Sequence, residues 1–508
     1  MSALRPGEPR TGGPGGSGGS GGPGGAGGTA LVPGLWAIVG FLVAVELASG
    51  VLQGYYTPIF SDIADHLRIP EGDVNWFEAA QLMVSALAVP LLARLGDLWG
   101  HRNVLLVSTA VTALGSWMLA FSPGFWTFLV GWALQGAYVV WLPVEVAIIH
   151  RRTSATREQN RLTRRAAAVL VAALEAGVIV GALTSGALVE ATSMPVLLAL
   201  PAVAVTLCFV VIWFGIERDP GVATGGYDFV GLGLLTVVLG LVMAGLVVVR
   251  LEGVGSPWPW LLLLAGAAAL WLLVRVEAAM SEPLVDVRLL ATPGQWPVQL
   301  TAFLFGMSVL GAQIPLSTFA RADPDEVGYG LGVDAATVST FVGVYVVTML
   351  VGALLLPLAT RLLGPRGAMV GGLLLVALGY GLFLPLHGSV TEMLTNLGIA
   401  GLGSGLLVAA LPAAAAAAAP PDRTGFATGM TNATKTVGGA IASAVFAIAL
   451  TATGSLDEPG VGAAPLSGYL TVWGLCSGSA LLAALALLAV PRAGAPTPSP
   501  ATAVASPR

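Results

Sequence analysis

Residues 229–249 read FVGLGLLTVVLGLVMAGLVVV, and no charged side chain interrupts this run between Asp228 and Arg250. At about 1.5 Å per residue, a helix of this length crosses the roughly 30 Å hydrocarbon core of a bilayer. Similar runs follow one another along most of the 508 residues, of which 56% are hydrophobic and only 10% are charged. Together with a mean hydropathy of +0.86, these runs exclude a soluble globular domain and predict an all-α polytopic membrane protein.

The apolar runs divide into fourteen predicted transmembrane helices. They lie at 34–57, 74–95, 104–122, 125–149, 165–189, 194–216, 228–250, 258–277, 295–318, 336–360, 367–386, 392–413, 425–450 and 466–490. We interpret them as two six-helix bundles, 34–216 and 291–490, separated by a linker and a central two-helix hairpin at 217–290. The Gly/Pro-rich residues 1–33 and the end at 491–508 are predicted to be disordered cytoplasmic tails, because their apolar surface is too small to offset the entropy of ordering.

The distribution of basic residues orients the chain. Most of the 22 Lys and Arg residues fall in alternate loops and in the tails, whereas Arg68, Arg250 and Arg321 fall on the opposite side. Short loops rich in Lys and Arg are retained in the cytoplasm. The charge bias and the even span count therefore agree in placing both termini in the cytoplasm, with the chain in the inner membrane of a bacterial-type cell.

A short sequence repeat links the two halves. Residues 90–102 (PLLARLGDLWGHR) follow predicted span two, and residues 357–366 (PLATRLLGPR) follow predicted span ten. Both segments contain Pro-Leu-x-x-Arg-Leu and end in Gly-x-Arg. Because spans two and ten hold equivalent places in the two bundles, this similarity supports a repeat of two six-helix units.

Five ionisable side chains lie inside predicted spans: Glu46, Glu78, Glu145, Glu175 and Lys435. Each costs about 2.5–3.5 kcal/mol to insert, so each is a candidate functional group. Four carboxyls and one ammonium cannot all be charged and paired, so some must face a water-filled cavity or stay protonated. The four glutamates are therefore candidates for proton coupling. The alternative is that one or two of them only hydrogen-bond neighbouring helices.

Helical spacing places further polar side chains beside these acids, because residues three, four and seven apart share one face of a helix. The shared faces are those of Glu46 with Gln53, of Glu78 with Gln81, and of Glu145 with Tyr138 and Trp141. Such faces predict an amphipathic cavity that accepts an apolar or cationic solute through aromatic and carboxylate contacts.

The loop after span two combines small residues, an acid and bases in one predicted cytoplasmic turn. Asp97 can pair with nearby cations or cap a helix N-terminus, which locks one conformation until transport breaks the contact. Asp97, Gly100 and Arg102 are therefore candidates for a conformational-switch loop. The same three residues match the Gly-x-x-x-Asp-Arg-x-Gly-Arg-Arg loop signature of the major facilitator superfamily, which this chain resembles.

Four further segments carry the resemblance. Residues 133–136 (ALQG) with Pro143 resemble the superfamily's fourth-span motif, and residues 177–186 resemble its fifth-span antiporter motif. Residues 429–440 (GMTNATKTVGGA) and the eighth-span exit at 277–290 resemble the fourteen-span drug:proton antiporters of that superfamily. The resemblance covers roughly residues 34–490. It implies two six-helix bundles with a central hairpin and the export of hydrophobic drugs or dyes in exchange for protons. It also implies an acid in the first span, at the position of Glu46.

The chain departs from the family's pattern at several positions. The loop signature differs at Ala93, Leu98 and His101. Trp132 stands where the fourth-span motif has an arginine implicated in proton coupling, and residues 181–186 (GALTSG) lack the proline and one glycine of the fifth-span motif. Lys435 stands where the family often has arginine, so it can supply the missing cation or anchor a carboxylate. The substrate-cavity candidates taken from these motifs and faces are Gln53, Gln81, Trp132, Gln135, Tyr138, Trp141, Asn432 and Lys435.

The sequence therefore predicts a secondary active transporter that exports small hydrophobic or cationic compounds by alternating access and is driven by the proton gradient. A uniporter or importer of the same fold is the first alternative, and a non-transporting sensor or scaffold is the second.

An ATP-driven pump is excluded because residues 429–436, the nearest match to a phosphate-binding loop, lack its second glycine. We expect no enzymatic activity, no cofactor, no metal and no nucleic-acid partner. The expected partners are a small-molecule substrate, protons and the lipid bilayer, with the protein acting as a monomer.

Overall fold

The computed structural model describes residues 35–153, 158–218, 227–280, 283–420, 423–451 and 464–489. Within these ranges the chain forms helices joined by turns and bends, and no strand. The predicted tails at 1–33 and 491–508 lie outside the described residues. The helices are α1 (Leu35–Val39), α2 (Leu42–Tyr55), α3 (Phe60–Leu67), α4 (Asn75–Trp99), α5 (His101–Ala120), α6 (Phe125–Gln135), α7 (Trp141–Arg152), α8 (Gln159–Leu188), α9 (Met194–Gly215), α10 (Phe229–Glu252), α11 (Pro257–Ala279), α12 (Val287–Leu290), α13 (Trp296–Val309), α14 (Gln313–Arg321), α15 (Pro324–Val327), α16 (Ala335–Leu382), α17 (Val390–Ala417), α18 (Thr424–Leu450) and α19 (Leu466–Ala489).

Twelve helical segments of the described residues are long and apolar enough to cross a membrane. The first predicted span, 34–57, differs because a turn at Gly40 (φ +50°) divides it into α1 and α2. Predicted spans ten and eleven run together in the 48-residue α16, whose helical geometry is interrupted at Gly364 (φ 74°). The all-α membrane architecture is thus confirmed, whereas the count of fourteen spans stays a prediction.

The sequence repeat has a structural counterpart in two glycine–arginine turns. Gly100 (φ 92°) and Gly364 (φ 74°) both adopt left-handed backbone conformations, which favour glycine. Two residues after Gly100, Arg102 donates to the carbonyl of Trp213 near the end of α9, at 2.6 Å. Two residues after Gly364, Arg366 donates to the carbonyl of Leu487 near the end of α19. A guanidinium at the carbonyl end of a helix stabilises that end through hydrogen bonds and the helix dipole.

Buried apolar side chains form two large clusters. The first contains mainly residues of α1 to α9, with Trp141 and Phe128 among its fully buried side chains, and the second contains residues of α13 to α19, with Trp473 at its centre. Helices α2 and α8 pack very closely. A Cβ added to Gly50 of α2 would lie only 2.0 Å from the carbonyl oxygen of Leu174 of α8. Small residues allow membrane helices this close approach.

The hairpin of α10 and α11 leaves much of its apolar surface exposed. Large side chains such as Phe229, Trp258 and Trp271 are exposed, as expected for a surface that faces lipid. One end of the hairpin is held by a buried ion pair, in which Arg250 donates to Asp73 with N–O distances of 3.1 and 3.0 Å. The division into two bundles and a central hairpin stays a proposal, and its linker includes residues that lie outside the described ranges.

Polar contacts connect the two halves at the end of the molecule that the charge bias places outside the cell. Arg321 pairs with Asp62 at 2.9 Å, Thr57 donates to Gln313 Oε1 at 3.1 Å, and Ser317 donates to the Thr57 carbonyl at 2.6 Å. We call these five residues the outer gate. Burial raises the pKa of Asp62, although Arg321 acts in the opposite direction. The contacts hold α14 against α3 and the residues just before it, so the structure is closed at this end.

Candidate functional site

Two of the predicted glutamates meet inside the first cluster of helices. Glu46 of α2 and Glu145 of α7 are both fully buried, with 0% of each residue's surface exposed. Their carboxyl groups lie close enough to interact with each other. None of the four carboxyl oxygens receives a hydrogen bond from a described residue. Two facing carboxylates offer no donor to each other, so a proton shared between them would supply the missing hydrogen bond.

Arg152 does not neutralise this pair by direct contact. Arg152 is within electrostatic range of Glu145, but it donates to the Ile38 carbonyl and to Glu217, both at 2.6 Å. Partial burial acts to raise the pKa of Glu217, yet the hydrogen bond from Arg152 outweighs it and the pKa lies below its usual value. Arg152 is therefore already paired with an ionised carboxylate at the end of α9.

Three more polar groups surround the pair or lie close to it. Tyr138 is half-buried and lies within electrostatic range of both Glu46 and Glu78. The buried thiol of Cys208 lies within range of Glu46 and Glu145. Glu78 lies beside the indole N–H of Trp132, but the geometry is too poor for a hydrogen bond. The structure thus brings three of the four predicted glutamates into one region of the first half.

Glu175 lies apart from this region. It is half-buried on α8, within electrostatic range of Tyr345 on α16 in the second half. The adjoining contact between the halves is tight, since Ser339 of α16 donates to the Ala182 carbonyl of α8 at 2.7 Å. Glu175 therefore belongs to the interface between the halves.

Three predicted cavity residues pack in the core of the first half. Trp132 is 3% exposed, with its ring centroid 4.6 Å from that of Tyr56. Trp141 is fully buried, and its indole N–H donates to Ser108 Oγ at 3.1 Å. Gln135 is buried and donates to the Tyr56 hydroxyl at 2.9 Å. These side chains hold helices together rather than face an open space.

The other predicted cavity residues are spread over two helices of the first half and one of the second. Gln53 is exposed and donates to Ser49 Oγ at 3.3 Å, whereas Gln81 is buried. Asn432 and Lys435 are half-buried on α18, and no described residue pairs with the Lys435 ammonium. The structure does not gather all the predicted residues around one cavity.

The predicted conformational-switch loop is only partly described. Gly100 forms the turn between α4 and α5, and Arg102 is 7% exposed, with its guanidinium 5.6 Å from the ring centroid of Trp213. The side chain of Asp97 lies outside the described residues. The loop therefore contributes a helix-end contact through Arg102, while the predicted role of Asp97 stays a prediction.

A cavity that the sequence did not indicate lies beneath the outer gate. It is small in this structure, and its walls are mainly apolar and aromatic. The lining residues are Thr57, Gln313, Leu316, Ser317, Val338, Phe341, Val342, Tyr345, Tyr380 and Leu397. The one signal in the sequence was the i, i+4 pair Phe341 and Tyr345, which is also typical of ordinary packing. Among the described residues no group of His, Cys, Asp and Glu side chains could hold a metal ion.

Comparisons with known proteins agree with this architecture. The model of the Major Facilitator Superfamily matches residues 37–321 and 298–508. The chain is 30% identical over 399 residues to the cephamycin export protein CmcT of Amycolatopsis lactamdurans, covering 77% of this chain and 79% of that protein. It is 24% identical over 396 residues to the multidrug resistance protein Stp of Mycobacterium tuberculosis, covering 77% and 71%. The crystal structure of the nucleoside transporter NupG superposes with a TM-score of 0.60 at 12% identity, covering 90% of this chain and 99% of that chain, and so supports the fold alone.

Proposed function

The chain belongs to the Major Facilitator Superfamily, and on that basis we propose that it is a proton-coupled exporter of small, largely apolar compounds that works by alternating access. The family and the relatives are transporters rather than enzymes, so this is a multi-pass membrane transporter of small molecules. The relatives carry names that describe cephamycin export and multidrug resistance, which favours export over import for this chain.

The observation that carries the proton-coupling proposal is the buried pair of Glu46 and Glu145. Two carboxylates that interact in a region shielded from water cannot both stay ionised without a large electrostatic cost. Binding one proton removes that cost and supplies a hydrogen bond to the pair. Because α2 and α7 belong to the same half, the pair can gain and lose this proton as the surrounding helices open toward one side or the other.

The outer gate supports alternating access. Asp62–Arg321 and the contacts of Thr57 close the structure at the predicted outer end, above a cavity lined by Thr57 of the first half and otherwise by residues of the second half. Transport outward requires these contacts to break and the opposite end to close. We propose that Tyr345 and Tyr380, which line this cavity, contact the apolar part of the carried compound.

The remaining assignments follow from the sequence and are proposals of the same kind. The charge bias favours the inner membrane of a bacterial-type cell, with both termini in the cytoplasm. Two six-helix halves in one chain can together enclose a transport path, so one chain is sufficient for transport. Glu78 and Glu175 are secondary candidates for proton transfer, since each is a half-buried carboxyl within a predicted span.

Everted membrane vesicles with an acidic lumen test the proposal. We expect the wild-type protein to accumulate at least one fluorescent dye from a set of anionic, neutral and cationic dyes, and to lose this accumulation when the pH gradient is collapsed. Glu46→Gln and Glu145→Gln should each abolish the part of the dye accumulation that depends on the pH gradient. Glu326→Gln is the matched control, because Glu326 is an exposed carboxyl on α15. Accumulation that is indifferent to the gradient and to both buried carboxyls would refute proton coupling, and flow in the opposite direction would identify an importer.

A further inference from the structure

Lys435 lies near the middle of α18 and is half-buried. At 1.5 Å per residue, roughly 16 Å of helix separates it from Thr424 and roughly 22 Å separates it from Leu450. A lysine near a helix end can extend its side chain to the membrane surface. From the position of Lys435 the side chain reaches neither surface, so its ammonium remains within the depth of the membrane.

The chain supplies no counter-charge for this ammonium among the described residues. No described carboxylate forms an ion pair with Lys435, and no described acceptor hydrogen-bonds to it. Arg250 provides the contrast, because this buried cation is compensated by two hydrogen bonds to Asp73. A cation at membrane depth needs water, a protein anion or a bound anion to offset its desolvation.

The backbone around Lys435 is fixed at the boundary between the two halves. A Cβ added to Gly306 of α13 would lie 1.9 Å from the carbonyl oxygen of Lys435, so the two helices touch at this level. One turn further along α18, a Cβ added to Gly439 would lie 3.0 Å from Leu82 of α4, in the first half. Lys435 therefore holds a defined position beside the seam that opens and closes during alternating access.

The residues that immediately precede Lys435 on α18 are uncharged and small or weakly polar. Thr434 donates to Gln299 Oε1 at 3.0 Å, Asn432 is half-buried, and Ala433 is buried. An ammonium has three rotatable donors and no fixed plane, so it accepts a carboxylate, sulfonate or phosphate oxygen in many orientations. A ligand held by this ammonium therefore carries an anionic group.

We propose that Lys435 binds the anionic group of the carried compound, so that the protein's substrates are amphipathic organic anions. This assignment rests on the proposed function and names its substrate class. It differs from the cationic solutes that the glutamates suggest by themselves. Those acids lie on helices of the first half or at the interface, and none of those described pairs with Lys435.

An anionic substrate has a consequence for the driving force. If one proton enters for each monovalent anion that leaves, every cycle moves two positive charge equivalents inward, and an inside-negative membrane potential accelerates export. If one proton enters for each monovalent cation that leaves, the cycle is electroneutral. The response to a potassium diffusion potential therefore separates the two substrate classes.

Binding of pyrene compounds to the full chain in lipid nanodiscs tests the assignment without any gradient. Pyrenebutyrate, pyrenebutanol and pyrenebutylamine share one apolar body and differ in charge. Energy transfer from tryptophan to pyrene reports binding, and empty nanodiscs correct for partition into lipid. We expect the wild-type protein to bind pyrenebutyrate about tenfold or more tightly than the other two compounds. Lys435→Gln should remove this preference, and Lys435→Arg should retain most of it.

Each other result overturns the assignment. Failure of the wild type to bind pyrenebutyrate, or equal binding of the anion and the alcohol, excludes an anion site. Tighter binding of pyrenebutylamine than of pyrenebutyrate would show that the protein prefers cationic compounds. The comparison among the three compounds uses the wild-type protein, so it stands even where a variant fails to fold. Loss of the anion preference leaves proton coupling intact, because coupling is measured separately through Glu46 and Glu145 in vesicles.

Discussion

The carboxyl groups of Glu46 on α2 and Glu145 on α7 face each other, fully buried, and no described residue donates a hydrogen bond to either. Buried polar groups in folded proteins are almost always hydrogen-bonded, so four unpaired carboxyl oxygens call for an explanation. A shared proton provides a hydrogen bond between the two carboxyl groups, and its removal leaves two negative charges that repel each other. The Glu46–Glu145 pair can therefore couple proton movement to conformational change.

Single and double substitutions of the pair should have non-additive effects. We expect Glu46→Gln and Glu145→Gln each to lower the initial rate of gradient-driven accumulation by about tenfold or more, and the double variant to lose little beyond that. The reason is that both carboxyls hold one proton and act as a unit. The rates are measured in everted vesicles, with Glu326→Gln alongside. Losses that multiply in the double variant would mean that the two carboxyls act independently.

Weakening the outer gate should open the cavity beneath it. In the Asp62→Asn variant we expect a cysteine at Leu316, which lines the cavity, to react about two- to fivefold faster with a membrane-impermeant maleimide added outside, because a part-exposed ion pair contributes up to about 1 kcal/mol. The side chains of Asp62 and Arg321 are 22% and 20% exposed. Glu326→Gln in the same Leu316→Cys background is the control. An unchanged rate in Asp62→Asn would show that the ion pair does not hold the gate closed.

The same labelling rate should depend on external pH. Burial raises the pKa of Asp62, so the ionised form that pairs with Arg321 is present above this pKa and is lost as the pH falls through it. That loss occurs at a higher pH than for an ordinary aspartate. We expect acidification of the medium around intact cells to accelerate labelling of Leu316→Cys, and Asp62→Asn to remove the pH dependence. Equal pH profiles with and without Asp62 would assign the titration to another group.

The sequence located the charged groups but not their partners. Glu46 and Glu145 are easily identified in the sequence because each interrupts an apolar run. Their pairing depends on how α2 packs against α7, and the spacing of residues along one helix does not predict that packing. The fourth-span motif predicts that Trp132 and Gln135 line a cavity, whereas in the structure both side chains contact Tyr56 in the core. Helical spacing shows which residues share a face and does not show what that face meets.

Two further features needed the structure. The cavity under the outer gate is lined by side chains such as Phe341 and Leu397, whose types are typical of membrane helices in general and carry no sequence signal. The span count depends on Gly40 and Gly364, whose positive φ angles divide or bend helices. Hydropathy alone treats both glycines as ordinary members of apolar runs.

Gly364 gives a direct test of the helix break in α16. A Cβ at this position meets no atom within 4 Å, but its φ of +74° is unfavourable for other residues. We expect Gly364→Ala to lower the unfolding free energy by about 1 kcal/mol. Gly343→Ala is the matched control, because Gly343 is helical and also open, and alanine there should stabilise by about 0.5–1 kcal/mol. Equal effects in thermal unfolding would mean that α16 has no fixed break.

The attachment of the hairpin should depend on the Asp73–Arg250 pair. Both side chains are buried, at 0% and 5% exposure, so Arg250→Gln leaves an uncompensated carboxylate and should cost about 3–5 kcal/mol of stability. Adding Asp73→Asn removes that charge and should recover part of the loss. Thermal unfolding in one detergent measures both variants. A double variant as unstable as Arg250→Gln alone would assign the loss to other contacts of Arg250.

Proton movement itself tests the central claim most directly. Proteoliposomes that enclose a pH-sensitive dye are given a transported compound without an imposed pH gradient, and the internal pH is followed. We expect the compound to drive a proton flux in the wild type and in Glu326→Gln, and no flux in Glu46→Gln or Glu145→Gln. Substrate transport without proton flux in the wild type, or an undiminished flux in both buried-carboxyl variants, would contradict proton coupling through the Glu46–Glu145 pair.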